Sequence, residues 1–399
     1  MEQNTNFTQR NKKEILLFLV VLSSLIVMSS TDMFLPSIPQ IALFFKATDE
    51  QARFMIPVYL FGELAAALLW GLISDYFERR KVLLSGILVF ILGSLICYFS
   101  SNIALFLSGR FIQGMGAIVV PVVGWALIQD IYPADKSAKI MSWVGGIISV
   151  GPMFVPALGG YIEVHFGWKY GLLLIILMSS GILWLLYILK HSGEMAKINR
   201  RTSLVNSLSA YYQIITNLKF LAYVMIFGVL GTSEWCYLTV APYFLGVHLG
   251  LAPDIVGLYI AYGAMWFVIG AIIATRMLRH DSVDESIKKG IVITICSSIV
   301  LLIMQLIKID TAMVVVTVIG FYFMGTSFVW GNTLSRALQC FPEHKGSASA
   351  IRSLFLIASF AIGASLGSIF NHESLFETAL FMLLMSIIAY AIWRKTFSL

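Results

Sequence analysis

Five ionisable side chains interrupt the apolar runs of this sequence, where charge is costly. They are Asp32, Glu63, Arg110, Glu234 and Arg352. A charged group in hydrocarbon pairs with another group or faces water, and it commonly marks an ion or substrate pathway. A carboxylate that binds a proton in one access state and releases it in another can couple proton flow to transport. All five residues are therefore candidates for proton or substrate chemistry.

Asp32 and Arg110 are the strongest candidates for a coupled pair. At 1.5 Å per helical residue, each lies about 12 Å from the same end of its predicted span. Because a membrane arginine needs a partner or a wet cavity, we expect the two side chains to contact each other. With Glu63 and Glu234 they form the predicted proton-coupling set. For these two glutamates, a purely structural contact is an equal alternative.

Aromatic residues cluster in the central runs and provide most of the predicted substrate site. Rings offer apolar surface and attract cations, although most membrane aromatics pack against helices or lie in interfacial belts. Arg352 could bind an anionic substrate group, or it could extend its charge to the membrane surface. The predicted substrate-binding residues are Tyr59, Gln113, Trp235, Tyr237, Tyr262, Trp266 and Arg352.

The elements that position these residues are membrane helices. Hydrophobic residues make up 59% of the 399-residue chain and charged residues 12%, whereas soluble domains carry about 25% charged residues. The apolar runs are continuous and long enough for helices to cross a bilayer, unlike the short alternating strands of a barrel. The twelve predicted spans are 15–40, 53–74, 82–99, 103–128, 138–161, 170–190, 219–244, 253–275, 287–307, 311–335, 346–370 and 374–393.

Charge placement predicts the topology. If both termini are cytoplasmic, 21 of the 27 lysines and arginines fall on the cytoplasmic side and four on the outer side. This asymmetry follows the positive-inside rule. The long polar connection 191–218 then divides the chain into a six-helix bundle at 1–190 and a second at 219–399. We predict a multi-pass protein of the inner membrane, with a cytoplasmic linker between its halves.

Two sequence motifs lie in the cytoplasmic loop after span 2 and in span 4. The loop, GLISDYFERRK, fits G-x-x-x-D-[RK]-x-G-R-[RK] at Gly71, Asp75, Arg79 and Arg80, but not at Tyr76 and Glu78. In span 4, RFIQGMGA begins at Arg110 and fits R-x-x-Q-G-x-G-A. Both motifs resemble signatures of the major facilitator superfamily. Asp75 could latch one access state closed, and Glu78 could weaken that latch by attracting the arginines. The alternative for the loop arginines is ordinary membrane anchoring.

Span 5 carries a third motif, GPMFVPALGG, that resembles the antiporter motif of proton-driven drug exporters. Proline removes a helix hydrogen bond and bends the helix, so a merely structural kink is the alternative. The predicted gating residues of the loop and span 5 are Gly71, Asp75, Arg79, Arg80, Gly151, Pro152, Pro156, Gly159 and Gly160.

With DMFLP from Asp32 and FGW from Phe166, these motifs make the chain similar to the Bcr/CflA branch of twelve-span drug:proton antiporters. The resemblance covers spans 1 to 6 well. The second half matches in length, topology and the GSASA run that opens span 11. The resemblance implies roles in proton coupling for Asp32 and Arg110. A second acid found in span 1 of some relatives is absent here, where Ser24 stands.

The sequence thus predicts an all-α membrane protein with a major facilitator fold, exporting small amphipathic compounds or drugs in exchange for protons. The partners are a small-molecule substrate, protons and the lipid bilayer, with no nucleic acid; we expect a monomer. We expect no cofactor, metal or enzyme activity, because the proton gradient supplies the energy. Two alternatives stay open. One is export of an endogenous metabolite such as a siderophore, and the other is a non-transporting receptor built on this fold.

Overall fold

The computed structural model describes residues 2–189, 212–278, 281–343 and 345–396. Within these ranges, twelve apolar helical spans confirm the predicted count. Most of the predicted linker 191–218 lies outside the described residues. The spans are Lys13–Phe45, Asp49–Tyr76, Arg79–Phe99, Ile103–Ile131, Lys139–Phe166, Trp168–Ile188, Leu218–His248, Pro253–Met277, Val283–Leu306, Ala312–Gln339, Gly346–Ile369 and Phe376–Thr396.

Four spans are built from more than one helical segment. Span 1 comprises the helices Glu2–Asp32 and Ile38–Phe45 with a 3-10 turn between them, and span 2 divides at Phe54. Span 4 passes through a π-helical turn that contains Pro121, and span 7 ends in another. Because proline cannot donate a backbone hydrogen bond, Pro36 and Pro121 explain why spans 1 and 4 depart from regular helix there.

Spans 1 to 6 and spans 7 to 12 form two helical bundles. We call the membrane face that carries the start of span 1 and the end of span 12 the terminal face, and the other the distal face. On the distal face the bundles touch. The backbone at Gly160 in span 5 approaches Pro253 and Asp254 of span 8, and Gly257 approaches Pro156.

The bundles separate toward the terminal face. No described atom lies within 4 Å of where a Cβ would stand on Gly145, Gly146 or Gly151, in the terminal part of span 5. Span 5 is accordingly among the least buried spans. The close backbone contacts between spans 5 and 8 therefore lie on the distal face, and the terminal part of span 5 lacks close neighbours at these three glycines.

Candidate functional site: a charged centre in the first bundle

Arg110 lies at the centre of the first bundle and is completely buried. Its Nη1 donates to the Ser30 carbonyl at 3.2 Å and to Gln113 Oε1 at 2.5 Å, and its Nη2 donates to Thr31 Oγ1 at 3.1 Å. The guanidinium carbon also lies 4.5 Å from the centre of the Tyr59 ring. Neutral acceptors and an aromatic face thus hold this charge inside the membrane.

The break in span 1 supplies one of these acceptors. The helix Glu2–Asp32 ends where the Phe34 amide donates to the Thr31 carbonyl at 3.1 Å, one residue later than a continuing α-helix would require. The Ser30 carbonyl is thereby released from the helix ladder and accepts from Arg110. An unmade backbone hydrogen bond in hydrocarbon would be costly. Arg110 therefore stabilises the helix break, and Asp32 is the last residue of the helix before that break.

Glycines let the surrounding spans approach this centre. The backbone of Gly114 packs directly against the Tyr59 carbonyl of span 2, and that of Gly93 in span 3 packs against Gln113. A Cβ at either position would collide with its neighbour. The RFIQGMGA motif therefore places its arginine and glutamine in one tightly packed layer, as small-residue crossings permit.

The two acids near this layer are partly exposed, unlike Arg110. Glu63 lies within electrostatic range of Arg110 and Tyr59, and Asp32 lies within range of Tyr59. Among the described residues, however, no ion pair or hydrogen bond joins Asp32 to Arg110. The predicted pair is thus wrong for this conformation, because other groups already occupy the guanidinium. The heights do agree, since Arg110 contacts the two residues before Asp32.

In the second bundle, the crossing between spans 7 and 10 has a different chemistry. The hydroxyls of Ser233 and Tyr322 lie 2.6 Å apart and form a buried hydrogen bond. Both residues are uncharged, and Tyr322 is fully buried. Glu234, the residue after Ser233, is partly exposed. The structure therefore brings together Asp32, Glu63 and Arg110 in one bundle and places Glu234 in the other.

The predicted substrate-binding residues divide into two groups. Tyr59, Gln113 and Tyr237 are buried. The Tyr59 hydroxyl accepts from Ser30 at 3.0 Å and donates to the Val27 carbonyl at 3.2 Å, so its polar atom is engaged within the bundle. In this conformation these three side chains pack between the spans.

The second group retains accessible surface. Trp235, Tyr262 and Trp266 are partly exposed. Trp235 stacks on Phe360 of span 11 with ring centres 5.7 Å apart, and Tyr262 forms a hydrogen bond with Thr317 at 3.2 Å. These aromatics come from spans 7 and 8. The accessible part of the predicted substrate set thus lies in the second bundle.

The sequence allowed the Arg352 side chain to extend to the membrane surface, but the structure places it in the interior. Only 5% of the residue is exposed, so the interpretation that it extends its charge to the membrane surface is wrong. Its guanidinium carbon lies 4.6 Å from the centre of the Trp330 ring. The cause is the helix face on which it lies, which turns it toward span 10 rather than toward water.

The predicted gating arginines contact other parts of the first bundle. Arg79 Nε lies 2.9 Å from Asp130 Oδ2 at the end of span 4. Arg80 donates to the carbonyls of Leu186 and Tyr187 at the end of span 6. These contacts fasten the loop after span 2 to its own bundle. The gating role of the loop, including Gly71 and Asp75, stays a prediction.

Glu78 behaves differently from its prediction. Its carboxylate pairs with Lys81 at 3.2 Å, on the first turn of span 3, rather than drawing Arg79 or Arg80 toward itself. The arginines already have closer acceptors on spans 4 and 6. The idea that Glu78 competes for them is therefore wrong in this conformation.

In span 5, the glycines and prolines have distinct surroundings. The helix runs through Pro152 and Pro156 without ending. Gly159 packs against the Met33 backbone of span 1, and Gly160 against span 8. Gly151 instead borders open space. The GPMFVPALGG motif thus brings span 5 into contact with both bundles at its distal end and leaves its terminal end apart.

A junction on the distal face escaped the sequence analysis. Arg53 of span 2 is 4% exposed and donates from Nη1 to the carbonyls of Gly367 at 3.1 Å and Phe370 at 2.8 Å, at the end of span 11. A cation is favourable at a helix C-terminus. Beside it, His372 Nε2 lies 3.4 Å from Asp49 Oδ2. The sequence showed Arg53 only as one of four outer-side charges.

Sequence reasoning also missed the acceptors of the charged centre. Ser30 and Thr31 hold Arg110, and Ser94 of span 3 accepts from Gln113 Nε2 at 2.8 Å. The signal was present in the polar run Ser29-Ser30-Thr31 directly before Asp32, within an otherwise apolar span. A single serine such as Ser94 gives no comparable signal.

Comparison with known families and proteins agrees with this architecture. The model of the Major Facilitator Superfamily matches residues 20–363. The chain is 25% identical to the uncharacterized MFS-type transporter YdgK of Bacillus subtilis, over 84% of each chain. It is 23% identical to a bicyclomycin resistance protein homolog of Haemophilus influenzae, over 90% of this chain and 89% of that one.

A third relative matches over about half of its length. The multidrug resistance protein MdtL of Escherichia coli is 34% identical over 182 residues, which are 45% of this chain and 46% of that protein. The bicyclomycin resistance homolog and MdtL support the resemblance to the Bcr/CflA branch.

Solved structures share the fold. A bacterial homolog of the human lysosomal transporter Spinster, in an inward-facing and unoccupied conformation, gives a TM-score of 0.76 at 11% identity, over 96% of this chain and 97% of that one. The xylose transporter XylE of E. coli, in a partially occluded inward-open conformation, gives 0.74 at 15% identity, over 96% and 98%. The chain belongs to the Major Facilitator Superfamily, as a Bcr/CflA-like multi-pass transporter of the inner membrane and not an enzyme.

Proposed function

We propose that this transporter exports small amphipathic compounds in exchange for protons, with Asp32 as the principal proton-carrying group. The observation that carries the proposal is the charged centre. Arg110 is a fully buried cation held by two residues that directly precede a partly exposed carboxylate. A fixed membrane cation beside a carboxylate that can reach water is an arrangement suited to proton exchange.

The lack of close neighbours around span 5 on the terminal face supports the direction of transport, because we take this face to be the open one. The positive-inside rule predicts that this face is cytoplasmic, so the present conformation would load substrate from the cytoplasm. In the proposed cycle, Asp32 takes up a proton while the distal face is open, releases any tie to Arg110, and favours the terminal-open state. The absence of an Asp32–Arg110 contact among the described residues is what this step requires.

Substrate then replaces the proton in the cycle. Its arrival from the terminal face favours loss of the proton from Asp32 to the cytoplasm, and the carrier returns to the distal-open state with substrate. A ligand shifts such an equilibrium only by its difference in affinity for the two states. We propose that Glu63 shares the field of Arg110, whereas Glu234 faces the substrate in the other bundle. No cofactor enters this scheme, and one chain suffices.

The names of two relatives suggest the first compound to test. One relative is named a bicyclomycin resistance protein homolog, and another a multidrug resistance protein. We would reconstitute the purified protein into proteoliposomes, impose a pH gradient and measure radiolabelled bicyclomycin uptake, followed by a panel of amphipathic drugs. Proton-driven accumulation of at least one compound is expected.

Asp32→Asn is the decisive variant, because it removes the titratable group and keeps the size of the side chain. We expect accumulation to fall to the level of protein-free vesicles. Glu343→Gln, which removes one negative charge from an exposed loop, is the control and should transport normally. Undiminished proton-driven accumulation by Asp32→Asn would refute the proposed coupling.

A further inference from the structure

Arg352 of span 11 is a buried cation that has no hydrogen-bonding partner among the residues that the structure describes. The residue is 5% exposed, and its Nη2 is wholly buried yet bonds to no described atom. No hydrogen bond or ion pair from its other nitrogens is present among the described residues either. Its one specific contact is with the ring of Trp330, at 4.6 Å. A buried charge left in this condition carries a large desolvation cost.

Among the described residues, the two other buried arginines each donate several hydrogen bonds, although Arg110 Nε is also buried without a partner. Arg110 donates to a carbonyl, an amide and a hydroxyl, and Arg53 donates to the carbonyls at the end of span 11. Within the part of the chain that the structure describes, Arg352 thus has guanidinium donors that no hydrogen bond or ion pair engages.

An aromatic surface leads away from this charge. Trp330 meets Phe227 edge-on with ring centres 4.5 Å apart, Phe227 meets Phe360 at 6.3 Å, and Phe360 stacks on Trp235 at 5.7 Å. Trp330, Phe360 and Trp235 are partly exposed. Rings from spans 7, 10 and 11 therefore form a continuous apolar row that begins at the guanidinium.

Open space adjoins the start of this row. No described atom lies within 4 Å of where a Cβ on Gly331, the residue after Trp330, would stand. This space borders the residue next to Trp330, whose ring in turn lies against the Arg352 guanidinium. Guanidinium groups recognise carboxylates and phosphates through paired N–H donors.

We propose that Arg352 and Trp330 form a subsite for the anionic group of an aromatic, amphipathic substrate. The carboxylate or equivalent oxyanion binds the free guanidinium donors, and the aromatic body lies along Trp330, Phe360 and Trp235. The assignment rests on the proposed function as a transporter and names the chemical class of its substrate. A lipid phosphate has the same oxyanion chemistry, so the test must separate the two sources.

Binding of a matched pair of probes tests the subsite. The probes are 2-naphthoate and its uncharged amide, 2-naphthamide, titrated by calorimetry into the protein in phosphatidylcholine nanodiscs. A hydrogen-bonded charge pair should make naphthoate bind about tenfold tighter or more. Equal affinities in the wild-type protein would overturn the proposal.

Variants assign any preference to the subsite. Arg352→Gln should bring the two affinities together, whereas Arg394→Gln, which removes an exposed charge at the end of span 12, should keep the wild-type ratio. Trp330→Leu should weaken both probes alike, since it removes ring contact. A naphthoate preference that survives in Arg352→Gln contradicts the assignment. If that variant does not yield folded protein, Arg352→Lys should lower the ratio, and an unchanged ratio contradicts it equally.

Lipid composition separates the two sources of oxyanion. The titrations are repeated in nanodiscs that contain phosphatidylglycerol, where the preference for naphthoate should persist. Its loss there would show that a lipid phosphate occupies the subsite and would overturn the substrate assignment. If Asp32-dependent transport is intact but naphthoate is not preferred, the subsite assignment fails and the proposed function stands. Selectivity without proton-driven transport would defeat the proposed function alone.

Discussion

The buried arginines of the two bundles differ in how many hydrogen-bond acceptors surround them. In the first, Arg110 is enclosed by acceptors from spans 1 and 4 and by the Tyr59 ring. In the second, the corresponding crossing of spans 7 and 10 uses the neutral Ser233–Tyr322 hydrogen bond, and the arginine lies elsewhere, at Arg352, without acceptors. The hydrogen-bond donors of Arg110 are thus mostly used within the protein, whereas those of Arg352 are available to a ligand.

This difference indicates a division of labour. A buried charge that is largely hydrogen-bonded fixes geometry: both terminal nitrogens of Arg110 donate to neutral acceptors, and only its Nε has no partner among the described residues. Its charge also acts on the neighbouring Glu63. An unsatisfied charge instead gains energy when a ligand arrives. The comparison therefore assigns proton chemistry to the first bundle and recognition of substrate to the second.

The largest expected effect comes from replacing each arginine by methionine. Arg110→Met leaves the Ser30 carbonyl and Gln113 without their donor, and removing one member of a buried charged network costs about 3–5 kcal/mol. Arg352→Met removes no hydrogen bond and should leave thermal stability unchanged or raise it. The unfolding temperatures of the two purified variants test this, and equal losses would break the comparison.

A smaller effect is expected at the glycines beside the two arginines. In Gly114→Ala the new methyl group collides with the Tyr59 carbonyl, and overpacking of this kind costs about 1–3 kcal/mol. Gly331→Ala meets open space and should stabilise span 10 by up to about 1 kcal/mol through helix propensity. Thermal unfolding of both variants in one detergent provides the measurement. A destabilised Gly331→Ala would show that the space beside Trp330 is filled.

Removing the neutral hydrogen bond of the second bundle should have a modest effect. Tyr322→Phe loses the contact with Ser233, worth about 0.5–1.5 kcal/mol. Because this crossing carries no charge, the variant should retain full proton-coupled transport despite a lower unfolding temperature. Proteoliposome uptake measures the coupling. Loss of coupling in Tyr322→Phe would place part of the proton chemistry in the second bundle.

The weakest effect is expected at the distal junction between the bundles. Burial, together with nearby Arg53, lowers the pKa of His372 below its ordinary value, although Asp49 opposes the shift. The closed distal face therefore favours the neutral imidazole of His372. The stability of this closed face declines as the pH falls through about 6.5 toward the lowered pKa. Acidification should favour distal opening. The charged or titratable groups around this imidazole are Asp49, Arg53, Tyr243, His248 and Glu373.

Spin labels at positions 50 and 376 would report this opening, in a background without the four native cysteines. The distance between them should lengthen on acidification in the wild-type protein. His372→Gln should flatten that pH dependence. A shorter distance at low pH would show that the protonated histidine closes the junction instead.

The fold followed from the sequence because each span is a predominantly apolar run of membrane length. The equal depth of Asp32 and Arg110 was also predictable, since helical rise converts residue counts into height. The partners of Arg110 were not, because the Ser30 carbonyl becomes an acceptor only when the chain turns after Asp32. That turn depends on three-dimensional packing as well as on Pro36.

The surroundings of Arg352 likewise could not be predicted from the sequence. Its presence in span 11 was visible, yet its burial depends on which helix face meets Trp330 of span 10. A weak amphipathic pattern does not fix that rotation in an apolar helix. Arg53 was overlooked for a related reason: its acceptors are carbonyls of a distant helix end, which leave no trace in side-chain composition.

Substrate-induced proton release from the purified protein in detergent tests the central claim most directly. On addition of a transported compound at several pH values, the wild-type protein and Glu343→Gln should release protons into a weakly buffered solution, whereas Asp32→Asn should release none. Release from Asp32→Asn equal to that of the wild type would contradict the assignment of proton exchange to the charged centre of the first bundle.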